Sequence, residues 1–383
     1  MNMETVLKNG RIVAGNAVVE GCLVVRDGRI ERIDAGRTAV RGGVDLGGDY
    51  LVPGLIDVHT DSLERQFTPR FGVYWPSPLS AAVANDAMMH GCGITTVLDS
   101  ICAEAFPEEE TRRRMFNDAV RAVTDGEAAG LFRSRHLLHL RCETADPKTP
   151  AILGEHLANP LVRLVSLMDH TPGQRQYKDE SKFRQYYSGM AWTDAEFAEV
   201  VARLREEQAR YAGPQRAAII ESAARRGIPL ASHDDATPGH VAEARAERIA
   251  ISEFPTTLEA ARAAREEGMD VVMGAPNIVL GGSHSGNVSA LDVLAAGQLT
   301  VLASDYVPAS LLLAPFQASR DLSLPLADCL ALVTANPAHM LGLADRGVIA
   351  PGRLADLVRV RLVDGLPVPV AVRTGGAPDA PAL

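Results

Sequence analysis

Cysteine is scarce in this chain, and its five residues stand apart, an odd number with no Cys-x-x-Cys pair. That argues against a disulfide framework and for reduced thiols in a cytoplasmic protein. Long apolar runs are missing as well. No stretch approaches the roughly 20 apolar residues that a membrane span needs, and the opening MNMETVLKNGRIV lacks the basic-then-apolar form of a secretory leader. Positive charge is not in excess either: 48 acidic residues against 38 Lys and Arg give a formal net charge of -10. A nucleic acid or an anionic membrane surface is therefore not expected as the main partner. A small anionic substrate stays possible, because metal ions and a few local Arg or Lys residues reverse the potential within one pocket. No Gly-rich dinucleotide or phosphate-loop signature follows the first strand of the middle region, which weakens a doubly wound open sheet.

What is present is ordinary for an enzyme-sized globular chain: 383 residues, 46% of them hydrophobic. That length holds one large α/β domain with an attachment, or two or three average domains. Residues 5–50 alternate β-like runs with Asn9-Gly10 and Asp27-Gly28, and the C-terminal stretch repeats the texture with Asp364-Gly365. Such dipeptides signal hairpins, since type I′ turns need positive φ at both central positions. Two β-rich ends around a different middle predict one small composite β-sandwich domain, residues 1–52 plus 346–383.

The middle, residues 53–345, alternates short apolar runs with helical stretches such as Glu109–Val123, Asp194–Tyr211, Pro214–Arg226 and Leu258–Gly268. Its eight candidate strands are Leu55–His59, Ile94–Asp99, His136–Glu143, Leu161–Met168, Ile228–His233, Ile249–Glu253, Asp270–Ala275 and Leu299–Asp305. Eight βα units in a region of this size fit a (β/α)8 TIM-like barrel with insertions. The polar stretch between His170 and Ala191, with aromatics among basic residues, reads as a substrate-contacting lid.

In LVPGLIDVHTD, residues 51–61, Asp57, His59 and Asp61 fall on alternate positions, so on one face of a strand. Alone, His-x-Asp suits a buried histidine beside an acid. The other strands change that reading, because they end at Asp99, Glu143, His170, His233, Glu253, Asn277 and Asp305. Barrel enzymes place their chemistry at these strand ends. His59, Asp61, Glu143, His170, His233 and Asp305 form a mixed nitrogen and oxygen ligand set suited to two divalent ions, Zn²⁺, Mn²⁺ or Fe²⁺. Glu143 is the expected shared bridge. Asp305 is expected to bind metal and to act as the catalytic general base.

PGLIDVHTD at 53–61, His170, His233, Asp305 and the closing GVIAPGRLADLV at 347–358 resemble the amidohydrolase superfamily. The resemblance implies a metal-bearing barrel with a small β domain built from both termini. The usual first-strand His-x-His is here His59-Thr60-Asp61, and Glu143 stands where relatives often carry a carboxylated lysine. His170 and His233 close the fourth and fifth strands, one strand earlier than is usual. Within the superfamily, HTDSLERQFTPRFGVYWP (59–76), LHLRCE (138–143), SLMDHTPGQRQY (166–177), SHDDAT (232–237), SEFPTT (252–257) and GAPNIVLGGSHSGNV (274–288) look like the phosphonate-metabolism protein M group. That implies hydrolysis of a phosphonate-bearing ribosyl triphosphate, a small phosphorylated sugar, with release of pyrophosphate. The rival reading is hydrolysis of a cyclic amide or deamination of a ring.

A triphosphate needs donors beyond the metals. Arg70, Gln174, Arg175, Gln176 and Tyr177 are the expected ones, with Ser283, His284 and Ser285 of a Gly-rich turn whose backbone can converge on an anion. Asn277 is expected beside substrate, and Asp99 and Glu253 as partners that orient ligating histidines. An apolar edge in the β domain points to a homodimer.

Overall fold

The computed structural model describes residues 4–39, 41–70, 72–283 and 285–375. Five strands open the chain: β1 Glu4–Ala14, β2 Ala17–Arg26, β3 Arg29–Ala35, β4 Val44–Asp45 and β5 Tyr50–Pro53. Eight follow in the middle: β6 Leu55–Thr60, β7 Ile94–Ala103, β8 Arg135–Glu143, β9 Val162–Met168, β10 Leu230–His233, β11 Ile251–Glu253, β12 Asp270–Gly274 and β13 Val301–Ala303. Two more close it: β14 Leu357–Val363 and β15 Leu366–Arg373.

β6 to β13 pair in sequence order, all parallel, and a bridge between Thr60 and Asp305 joins the two ends. This is the expected eight-stranded barrel, and its strand count keeps His170 and His233 after the fourth and fifth strands. Parallel strands need crossovers that cover them, and the intervening helices bury Phe116, Val123, Ile219 and Leu311 against the outer face. Inside, Val58, Leu98, Leu164, Ala231, Ile251, Val272, Val301 and Ala303 form an apolar plug. Polar side chains beyond that plug have a dry, rigid floor.

The terminal strands make one sheet in the order β15-β14-β5-β1-β2-β3, with β4 on β1. Both ends of the chain thus share a sheet, as expected, around a core that includes Leu7, Leu23, Leu51 and Leu357. Its Val13, Val52, Val358 and Val372 pack into the barrel's own core. Asp27-Gly28 and Asp364-Gly365 are the predicted turns, with positive φ at all four residues. Asn9-Gly10 is not a turn: Asn9, at φ 59°, sits in a bulge within β1, and the hairpin reverses at Gly15-Asn16. The two helices expected over 194–226 are one, Asp194–Ala224, with Pro214 inside it. A proline there costs about 3 kcal/mol, and Val201 and Ile219, buried on either side of it, hold the helix together.

All five cysteines are free thiols. Among the described residues no helix is long and apolar enough to cross a membrane.

Candidate active site

Closure of the barrel brings its first and last strands together. Asp305 N donates to His59 O (2.9 Å) and Asp61 N donates to Asp305 O (2.8 Å). His59, Asp61 and Asp305 are thereby fixed to one another through backbone before any side chain acts. Asp234, after β10, and Asp305 both adopt left-handed backbone, φ 56° and 54°. Aspartate tolerates that region better than most residues, and such conformations persist where surrounding structure enforces them. The expected alternation breaks at Asp57. The register slips within β6, and Asp57 turns away to accept from Ser304 N at 2.9 Å.

Glu253, fully buried at the end of β11, sets the histidines. Its two oxygens lie 2.7 Å from His59 Nδ1 and 2.7 Å from His233 Nδ1. Both rings therefore turn Nε2 toward the cavity, as metal-binding imidazoles held by a carboxylate do. His59 Nε2 then stands 3.6 Å from Asp61 Oδ1. His233 Nε2 and His170 Nε2 each stand 3.5 Å from Asp234 Oδ2, a buried oxygen with no hydrogen-bond donor. These spacings exceed a hydrogen bond. They are near the roughly 3.3 Å that separates two ligands of a tetrahedral ion with bonds of about 2.0–2.1 Å.

Two open ligand groups result, His59–Asp61–Asp305 and His170–His233–Asp234, each with ligand atoms within 4.8 Å of one another. Glu143 lies against Nδ1 of His170 at 3.0 Å and forms a further group with Glu104 and that histidine. It faces the ring nitrogen opposite Asp234. Asp234, absent from the expected ligand set, is the carboxylate between two histidines. The run His233-Asp234-Asp235 signalled it only weakly.

The cavity holds charge of both signs. Burial opposes protonation of His59, but the Glu253 carboxylate raises it to about 10. Burial, reinforced by the facing Asp61, pushes Asp305 up to about 7. Burial would raise Asp61 too, yet the Arg141 guanidinium and His59 hold it well below the usual range. Five carboxylates, Asp61, Glu64, Glu104, Asp234 and Asp305, line a cavity of about 580 Å³ against three guanidiniums, Arg65, Arg112 and Arg141. Facing carboxylates, oriented imidazoles and an orphaned carboxylate oxygen all fit divalent cations.

Of the expected substrate residues, Gln176, Tyr177, Asn277, Ser283 and Ser285 line this cavity. Arg70, Gln174 and Arg175 do not. Arg70 is exposed in a turn with Val73, and Gln174 begins a short turn outside the lining. Arg175 is spent inside the protein, donating to Asp235 Oδ1 (2.7 Å) and His233 O (2.8 Å). His284 lies outside the described residues. Asn277 accepts from Ala290 N (2.9 Å) and donates to Val288 O (3.1 Å), so it also holds the following loop in place. Asp99 orients no cavity histidine; it pairs with His136 at 2.7 Å, outside the barrel's polar centre.

The 170–191 stretch is folded into the short helix Glu180–Tyr186 and two single turns, and brings Tyr177, Tyr186 and Tyr187 to the cavity. Arg141 is a cavity residue outside the expected set, although His139, Arg141 and Glu143 alternate along β8 and so share its inner face.

The family model described as "Amidohydrolase family" matches residues 50–380. The chain belongs to that family. A relative from Escherichia coli (strain K12), named alpha-D-ribose 1-methylphosphonate 5-triphosphate diphosphatase, is 44% identical over 356 residues, 92% of this chain and 94% of that protein. The L-hydantoinase of Paenarthrobacter aurescens is 29% identical over 98 residues, 25% of this chain and 20% of that protein. Among solved structures, the 5-methylcytosine deaminase from Klebsiella pneumoniae liganded with 5-fluorocytosine aligns with a TM-score of 0.63 at 16% identity. That alignment covers 97% of this chain and 96% of the deaminase. At such identity it speaks for the fold alone.

Proposed function

We propose that this amidohydrolase-family enzyme hydrolyses α-D-ribose 1-methylphosphonate 5-triphosphate to 5-phosphoribose 1-methylphosphonate and pyrophosphate, within carbon–phosphorus lyase phosphonate catabolism. The observation that carries this reading is the 44% identity across 92% of the chain to the diphosphatase of that name. The similarity to the hydantoinase relatives spans only a third of the chain or less.

The cavity chemistry supports phosphoanhydride hydrolysis. His59, Asp61 and Asp305 would hold one divalent ion, and His170, His233 and Asp234 another, as Zn²⁺, Mn²⁺ or Fe²⁺. When bound, such ions supply positive charge for phosphate oxygens and acidify an attacking water. Asp305 takes the proton of that water, since a carboxylate beside the attacking water is well placed for general-base work. Glu253 holds both Nε2 atoms in place, and Glu143 does the same for His170 from the other ring nitrogen. Gln176, Ser283 and Ser285 supply neutral donors to the anionic chain, and Tyr177, Tyr186 and Tyr187 keep bulk water from it.

Residues 53–345 would form the catalytic body, with 1–52 and 346–383 as its composite β domain. The reading also makes the chain cytoplasmic. A homodimer is its expected assembly, for which exposed Leu362, Val363 and Leu366 at the β14–β15 turn are the supporting feature. Metal-loaded protein given the ribosyl triphosphate and, separately, a hydantoin tests the reading. Pyrophosphate from the first with no ring opening of the second is expected; ring opening without pyrophosphate overturns it.

A further inference from the structure

Arg141 is a buried cation in the wrong place for a symmetric metal pair. Its side chain is 12% exposed, and its Nη1 donates to Asp61 Oδ1 at 2.8 Å. That same Oδ1 is the oxygen facing His59 Nε2 at 3.6 Å. Among the described residues Asp61 is the one carboxylate within ion-pair distance of Arg141, whose Nε is buried without a hydrogen-bond acceptor. A divalent ion on Asp61 Oδ1 would sit one oxygen atom away from this guanidinium. At that separation the two charges repel, the more so because the guanidinium is mostly buried. In the other group the Arg141 charge is felt at Asp234 only from beyond ion-pair distance. Asp234 Oδ2 receives no hydrogen bond, two ring nitrogens flank it at 3.5 Å, and no guanidinium pairs with it.

We infer that Arg141 makes the two halves of the centre unequal, so that His170, His233 and Asp234 hold a first divalent ion tightly while His59, Asp61 and Asp305 take a second one weakly. Arg141 is thus a positioning residue that tunes metal loading through Asp61. This rests on the proposed metal centre but not on which substrate is hydrolysed, so substrate assays and metal titrations fail independently.

The test is a titration of metal-stripped, full-length protein with Mn²⁺, read by calorimetry and by the electron paramagnetic resonance of free Mn²⁺. Wild type should bind one ion tightly and a second about 100-fold more weakly, in the range by which outer groups alter metal affinity. Arg141→Met, which keeps length and loses charge, should tighten the second ion by about 10-fold or more. Arg141→Lys should keep the wild-type ratio. Asp234→Asn should remove the tight ion, and Asp61→Asn only the weak one. Two ions of equal affinity in wild type, or an unchanged ratio in a folded Arg141→Met protein, would overturn the inference. Should Arg141→Met fail to fold, Arg141→Gln takes its place, and an unchanged ratio in that folded protein is contrary; so is retention of the tight ion in Asp234→Asn, or its loss in Asp61→Asn.

Discussion

Two buried histidine–carboxylate clusters in this barrel use the same residue types to different ends. One is the inward group at the C-terminal strand ends. The other lies between the barrel and its helices, where His136 on β8 has Asp99 at 2.7 Å on Nδ1 and Asp86 at 3.4 Å on Nε2. In the outer cluster each ring nitrogen has a carboxylate within ion-pair distance, although Nε2 makes no hydrogen bond, Asp86 also accepts from Arg133 N and Ser134 N, and none of these residues lines the active-site cavity. In the inner one a single carboxylate, Glu253, takes Nδ1 of two rings and leaves both Nε2 atoms facing open space. Composition does not separate a site from a brace. The cavity in front of the ring nitrogen does.

Mutations should separate them in order of size. Asp305→Asn should lower pyrophosphate release by about 10³-fold, within the span of general-base losses, with thermal stability little changed. Asp99→Asn should do the reverse. It leaves buried His136 charge with one carboxylate, so stability measured by denaturant melts should fall by about 3 kcal/mol, while metal content stays at the wild-type level. Glu253→Gln should weaken metal affinity by about 10–100-fold, as lost orienting partners do, measured by chelator competition. If Asp99→Asn loses metal or Glu253→Gln does not, the distinction between the clusters fails.

The smallest effect is a pH dependence of stability. Burial opposes charge on His136, but Asp99 and Asp86 raise it to about 9 from an ordinary 6.5, with Glu127 accepting from its backbone N–H. The folded state thus favours the imidazolium. Its contribution is fully present below about pH 6.5 and is lost as pH rises through about 9. Melting temperature should fall across that window, and His136→Gln should flatten the fall.

Much of this was legible in the chain because barrel strands announce themselves twice, as an apolar run and as the polar residue ending it. All eight candidate strands exist, even β11 and β13, which span three residues each. Legibility ended where a side chain's partner lies far away in sequence. Nothing local tells that Arg175 closes on Asp235, or that Asp99 serves His136 rather than a cavity histidine. Asp234 needed its left-handed backbone to be seen turning between His170 and His233. Arg141 was readable in principle, since alternation along LHLRCE puts it beside Glu143 on the inner face. Asn9-Gly10 misled because a bulge and a type I′ turn ask the same positive φ of the residue.

The central claim, that the open inner cluster performs phosphoanhydride hydrolysis, is tested most directly by phosphorus NMR. Wild type and Asp305→Asn, matched in metal content, are each given α-D-ribose 1-methylphosphonate 5-triphosphate. The predicted result is stoichiometric pyrophosphate from wild type and almost none from the variant. Undiminished pyrophosphate from Asp305→Asn, or none from wild type, would contradict it.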